Sequence, residues 1–81
     1  MAEKVLIIGA GNGLSAAIAR LFASQGMTVG LAARDVEKLA PLVSEIDAQA
    51  YACDATDPEA VAKLFDDFNS DIGSPDILVY N

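Results

Sequence analysis

The chain has no histidine and no tryptophan, a single cysteine (Cys53), and five basic residues against twelve acidic ones. Without histidine, a Ser-His-Asp arrangement or a histidine metal site is excluded. One cysteine excludes an internal disulfide and a cysteine-rich zinc site, and is compatible with a reducing, cytoplasmic compartment. No apolar run approaches the ~18 residues of a membrane span. A secretory leader is not expected either, because Val5–Ile8 is too short for its apolar region and runs straight into glycines. The net charge of −7 disfavours nucleic acid, which calls for a basic patch. The charge is also uneven. Residues 1–53 carry four basic and five acidic groups, residues 54–81 one and seven. At 81 residues the chain is one domain at most.

What is present is an alternation. Short apolar runs of ~5 residues alternate with amphipathic stretches of ~10–15, the pattern of βαβ units and a parallel sheet. Lys4–Ile8 reads as a buried strand. Residues 13–25 read as a helix with Leu14, Ile18, Leu21 and Phe22 on one face, stopped by Gly26. Thr28–Ala33 reads as a second strand with Gly30 as a weak point. Asp35 caps a second helical segment whose Leu39, Val43 and Ile46 share a face, and Pro41 predicts a kink or an irregular first turn. Ala48–Cys53 is a third strand. Asp57-Pro58-Glu59 starts a third helix, with Val61, Leu64, Phe65, Phe68 and Ile72 as its stripe and Gly73 as its stop. Asp76–Tyr80 is a fourth strand.

The expected fold is therefore α/β, a Rossmann-type doubly wound parallel sheet with strand order 3-2-1-4. Strand 4 would then be an open apolar edge, a liability in a finished protein. Residues 1–81 accordingly read as the N-terminal portion of a larger, truncated nucleotide-binding domain.

The chemistry lies in Gly9-Ala10-Gly11-Asn12-Gly13-Leu14-Ser15, between the first strand and the first helix. Glycine lets the backbone turn tightly and lets a ligand approach without a Cβ in the way. The helix start presents unpaired N–H groups and a positive dipole end, suited to a pyrophosphate. The loop departs from G-x-G-x-x-G and fits G-x-x-x-G-x-G better, through Gly9 and Gly13, with Ser15 in the third glycine's place. The Ser15 hydroxyl has two candidate partners, a phosphate or its own helix. After strand 2 stands Arg34 where an NAD-type carboxylate would be, and a guanidinium pairs well with a 2′-phosphate. The alternative is a solvated arginine beside the Asp35 cap. Arg20 reads as solvated. Asp54 follows strand 3 and either accepts from an adenine amino group or serves turn chemistry with Thr56. Cys53 reads as a core residue, and neither Tyr51 nor Tyr80 has a lysine four residues on.

Together, G-A-G-N-G-L-S at 9–15, A-R-D at 33–35, C-D-A-T-D at 53–57 and D-I-L-V-Y-N at 76–81 resemble the N-terminal part of a short-chain dehydrogenase/reductase. The resemblance covers essentially the whole chain and implies an NADP-dependent oxidoreductase moving hydride between NADPH and a carbonyl or alcohol substrate. By that resemblance, Gly9, Gly11, Asn12, Gly13, Leu14 and Ser15 line the adenosine and pyrophosphate site. Arg34, with Asn12, meets the 2′-phosphate. Asp54 and Ala55 meet adenine, and Asn81 lies against the ribose. Ser15 and Tyr80 depart from the family's pattern, which has Gly and Asn there. The family's catalytic Ser and Tyr-x-x-x-Lys lie downstream of this region, so no catalytic residue is assigned. The resemblance also implies a homo-oligomer; hydropathy and acidity leave no membrane or nucleic-acid partner expected. A non-catalytic NADP-binding sensor or scaffold of the same fold is the alternative function. A methyltransferase is disfavoured by Arg34, since its cofactor's ribose wants an acid.

Overall fold

The computed structural model describes residues 3–10 and 13–80. The elements run β1 (Lys4–Ile8), α1 (Gly13–Ser24), β2 (Thr28–Ala33), a single 3-10 turn (Val36–Leu39), α2 (Ala40–Ile46), β3 (Gln49–Ala52), α3 (Pro58–Asp71) and β4 (Ile77–Tyr80). The four strands form one parallel sheet in the order β3-β2-β1-β4, as expected. Ile8 pairs with Ala32 on one side and Tyr80 on the other, so the strand ends that carry the loops lie level.

A central parallel strand buries both faces, and β1 is apolar and buried from Val5 to Ile8 for that reason. Val5 and Ile7 point into a core shared with Val29 and Leu31 of β2, Ala19 of α1 and Leu42 of α2. Leu6 and Ile8 point the other way, onto Leu64 and Phe68 of α3.

The face of α1 differs from expectation. Leu14 and Leu21 are exposed, at 64% and 56%, while Ser15 and Ala19 are fully buried and Ile18 and Phe22 half-buried. Small side chains let the helix approach the sheet closely, so the buried stripe is the small one. Gly30 is likewise not a weak point. A Cβ there would lie 2.8 Å from Phe68 Cδ2 and closer still to Cε2, so the missing side chain is the space that seats the Phe68 ring. Arg20 is paired rather than simply solvated. Its Nε and Nη2 donate to the two Glu45 carboxylate oxygens at 2.7 and 3.2 Å, linking α1 to α2 at the surface.

Helix starts follow the expected chemistry. Asp57 Oδ1 accepts from the Glu59 N–H at 3.1 Å, with Pro58 at the first helical position. Asp35 Oδ1 accepts from the Glu37 N–H at 3.2 Å. Pro41 has the predicted effect. Having no N–H, it cannot bond the Glu37 carbonyl in α-helical register, and the Ala40 N–H donates to that carbonyl instead. The segment therefore begins as a 3-10 turn and becomes α-helical only from Ala40. At the sheet edge, Ile77 and Val79 are half-buried, whereas Leu78 and Tyr80 are exposed. No helix among the described residues is long and apolar enough to cross a membrane.

Candidate functional site

The loops after β1, β2 and β3 all emerge at the C-terminal edge of the sheet, where open α/β sheets bind ligands. After β1 the chain turns at once. Gly9 has φ +86°, a conformation that favours glycine, and the Gly9 and Ala10 N–H groups both donate to the Ala32 carbonyl, at 2.9 and 3.0 Å. Ser15, on the first turn of α1, donates its buried hydroxyl back to the Gly9 carbonyl at 3.2 Å. This bond ties the helix start to the turn before it.

Beside this turn lies a cleft of about 450 Å³. It is lined by Gly9 from the first loop, Ala33, Arg34, Asp35 and Lys38 from the second, and Cys53, Asp54, Ala55 and Thr56 from the third. Four of the expected site residues, Gly9, Arg34, Asp54 and Ala55, meet there. Gly13, Leu14 and Ser15 are at the start of α1 outside its lining. Gly11, Asn12 and Asn81 lie outside the described residues.

Asp54 carries out the turn chemistry. Its Oδ1 accepts from the Thr56 hydroxyl at 2.7 Å and from the Thr56 N–H at 2.9 Å. The Thr56 hydroxyl, then the Thr56 N–H and the Arg34 charge, hold its carboxyl below the usual carboxylate value. A negative carboxylate acceptor therefore stays in the cleft wall. Burial pushes the Cys53 thiol up, and the charges of Asp54 and Asp57 push it further, so Cys53 is a wall residue and not a thiolate. Tyr80 contributes from β4, donating its hydroxyl to the Ala55 carbonyl at 2.8 Å. Among the described residues no group of His, Cys, Asp and Glu could hold a metal ion.

Sequence reasoning missed two features of this wall, Lys38 and the Tyr80–Ala55 bond. Lys38 lies in the 3-10 turn that the Asp35 cap opens and lines the cleft from there.

The donor set suits a nucleotide: a glycine turn without a Cβ, a helix start, a guanidinium and an ammonium, and a carboxylate acceptor. Comparison with known proteins agrees. Residues 9–81 match the family model described as enoyl-(acyl carrier protein) reductase. An uncharacterized oxidoreductase of Mycobacterium bovis is 38% identical over 98% of this chain. The crystal structure of a metagenomic short-chain oxidoreductase in complex with NADP superposes with a TM-score of 0.88, at 37% identity over 94% of this chain. A Haemophilus influenza oxidoreductase with bound NAD superposes with the same score, 0.88, at 25% identity over 94% of this chain. The chain spans 26% of the mycobacterial relative and 37% and 29% of the two crystallised chains.

Proposed function

The chain belongs to the short-chain dehydrogenase/reductase family, and from that premise we propose that it forms the adenosine half of an NADP site in an oxidoreductase acting on a carbonyl or alcohol. The cleft at the sheet edge carries this reading, because it brings Gly9, Arg34, Asp54 and Ala55 to one place. When bound, the dinucleotide supplies a hydride donor or acceptor, which no side chain can provide.

The chain's own residues hold and select it. Gly9 leaves room for the pyrophosphate, and the first turn of α1, from Gly13, offers N–H groups to it. Leu14 follows on the same turn, and Ser15 braces that turn through Gly9. Gly11 binds the cofactor with them, and Asn12 joins Arg34 at the 2′-phosphate. Arg34 pairs with a ribose 2′-phosphate through charge-assisted bonds. Asp54 and the Ala55 backbone take the adenine edge, and Asn81 takes the ribose. The charge pattern supports the selection, since a cation follows β2 where a carboxylate would favour the unphosphorylated ribose.

Titration with NADPH and NADH tests this. Wild type is expected to prefer NADPH, and Arg34→Ala to lose most of that preference while keeping its NADH affinity. Equal wild-type affinity for the two would overturn the role of Arg34. Absence of any dinucleotide binding would overturn the cofactor site.

A further inference from the structure

The chain holds five cations, Lys4, Arg20, Arg34, Lys38 and Lys63. Two are neutralised on the surface by carboxylates, Arg20 by Glu45 and Lys63 by Asp67, each at 2.7 Å. Lys4 belongs to the first residue of β1, at the opposite end of the sheet from the cleft. The remaining two, Arg34 and Lys38, both line the cleft, and neither forms an ion pair among the described residues. In a protein of net charge −7 that placement is not what an even scatter of cations would produce.

The backbone explains how Lys38 reaches the cleft. Val36 and Leu39 point inward to the core, Leu39 at 2% exposure. Asp35, the cap before the turn, and Lys38, within it, both line the cleft. Asp54 feels the Arg34 charge, but neither cleft carboxylate forms an ion pair with Arg34 or Lys38 among the described residues. Asp35 is engaged by the Glu37 N–H, and Asp54 by Thr56.

We infer that Lys38 is a second determinant of nucleotide choice, its ammonium sharing with Arg34 a dianionic phosphate monoester on the adenosine ribose. The inference deepens the cofactor reading above and rests on it. Arg34 supplies a planar fork, while Lys38 supplies a mobile point charge that adjusts to the same group. Two positive charges then meet a group of about −1.5 to −2 charge near neutral pH.

The test compares adenosine 2′,5′-bisphosphate with adenosine 5′-phosphate, which differ only in the 2′-phosphate, on wild type, Lys38→Gln, Lys38→Arg and Arg34→Ala. Lys38→Gln should weaken the bisphosphate about three- to tenfold and leave the monophosphate unaffected. Lys38→Arg should restore most of the loss, and salt should weaken bisphosphate binding less in Lys38→Gln than in wild type. Thermal midpoints of the variants establish that the fold is kept. If Arg34→Ala loses the preference and Lys38→Gln keeps it, this inference is overturned and the cofactor reading stands. An equal loss for both nucleotides also overturns it, because Lys38 would then support the turn without reading the phosphate. If wild type does not distinguish the two nucleotides, the reading of Arg34 fails, and this one with it.

Discussion

The Tyr80 hydroxyl, at the end of β4, donates to the Ala55 carbonyl at 2.8 Å. β4 and β3 are opposite edges of the four-stranded sheet, and Ala55 belongs to the loop that follows β3. The bond therefore closes that loop over the strand ends and fixes a wall of the cleft from the far side. Tyr80→Phe keeps the ring and removes the bond. Because Tyr80 is 61% exposed, the expected loss is at the low end for a hydrogen bond, about 0.5 kcal/mol by chemical denaturation. The sharper readout is hydrogen exchange. Amides of Ala55, Thr56 and Asp57 should exchange faster, with β1 and β2 unchanged. Uniform exchange behaviour in the variant would sink the brace.

Gly30 and Phe68 form a second coupled pair. The Phe68 ring is fully buried and occupies the space where a Cβ on Gly30 would stand. Gly30→Ala should cost about 1–3 kcal/mol by overpacking. Phe68→Leu alone should also destabilise, through the cavity it leaves. The double variant should be more stable than the sum of the two losses, because the smaller side chain vacates the contested space. Strict additivity in urea denaturation would show that the two sites do not compete.

How far the sequence revealed this arrangement varies with the physics of each part. β1 and β2 have the expected boundaries, because a strand buried on both faces must be an apolar run, bounded here by the charged N-terminus, glycines and Arg34. The helix caps were legible because Asp35 and Asp57 act on N–H groups two residues away. The buried face of α1 was not legible by apolar size. Close helix–sheet approach selects Ser15 and Ala19, and leaves Leu14 and Leu21 outside. Lys38 was missed because nothing local marks it, and the cleft it lines exists only where the loops after β1, β2 and β3 come together.

Tyr51 gives a pH-dependent prediction. Its hydroxyl donates to Asp71 Oδ2 at 3.0 Å, and its ring packs against Phe68 with centroids 6.1 Å apart. Burial, then the Asp71 hydrogen bond and charge, push its phenol up to about 12. A raised folded-state value means that the stabilisation is fully present below the ordinary tyrosine value of about 10 and is lost as pH rises through about 12. In a Tyr80→Phe background Tyr51 is the only tyrosine, so phenolate absorbance should appear with a midpoint near 12. Tyr51→Phe should lose less stability than wild type between those limits. A midpoint at the ordinary value would show that neither the burial of the phenol nor its Asp71 contact holds in solution.

Cys53 tests the wall of the cleft directly. It is 5% exposed, and burial together with the Asp54 and Asp57 charges raises its thiol pKa. Alkylation needs both the thiolate and access, and both are restricted here. Iodoacetamide at mildly alkaline pH should therefore modify Cys53 much more slowly than a free thiol such as glutathione. Asp54→Asn should speed the reaction, since removing a neighbouring negative charge lowers the thiol's pKa. Adenosine 2′,5′-bisphosphate should slow it in wild type by filling the cleft that Cys53 lines. Protection that persists in Arg34→Ala at the same nucleotide concentration would place the nucleotide away from the guanidinium. Protection lost in that variant and regained at higher concentration would tie the occupant of the cleft to the charge that selects it.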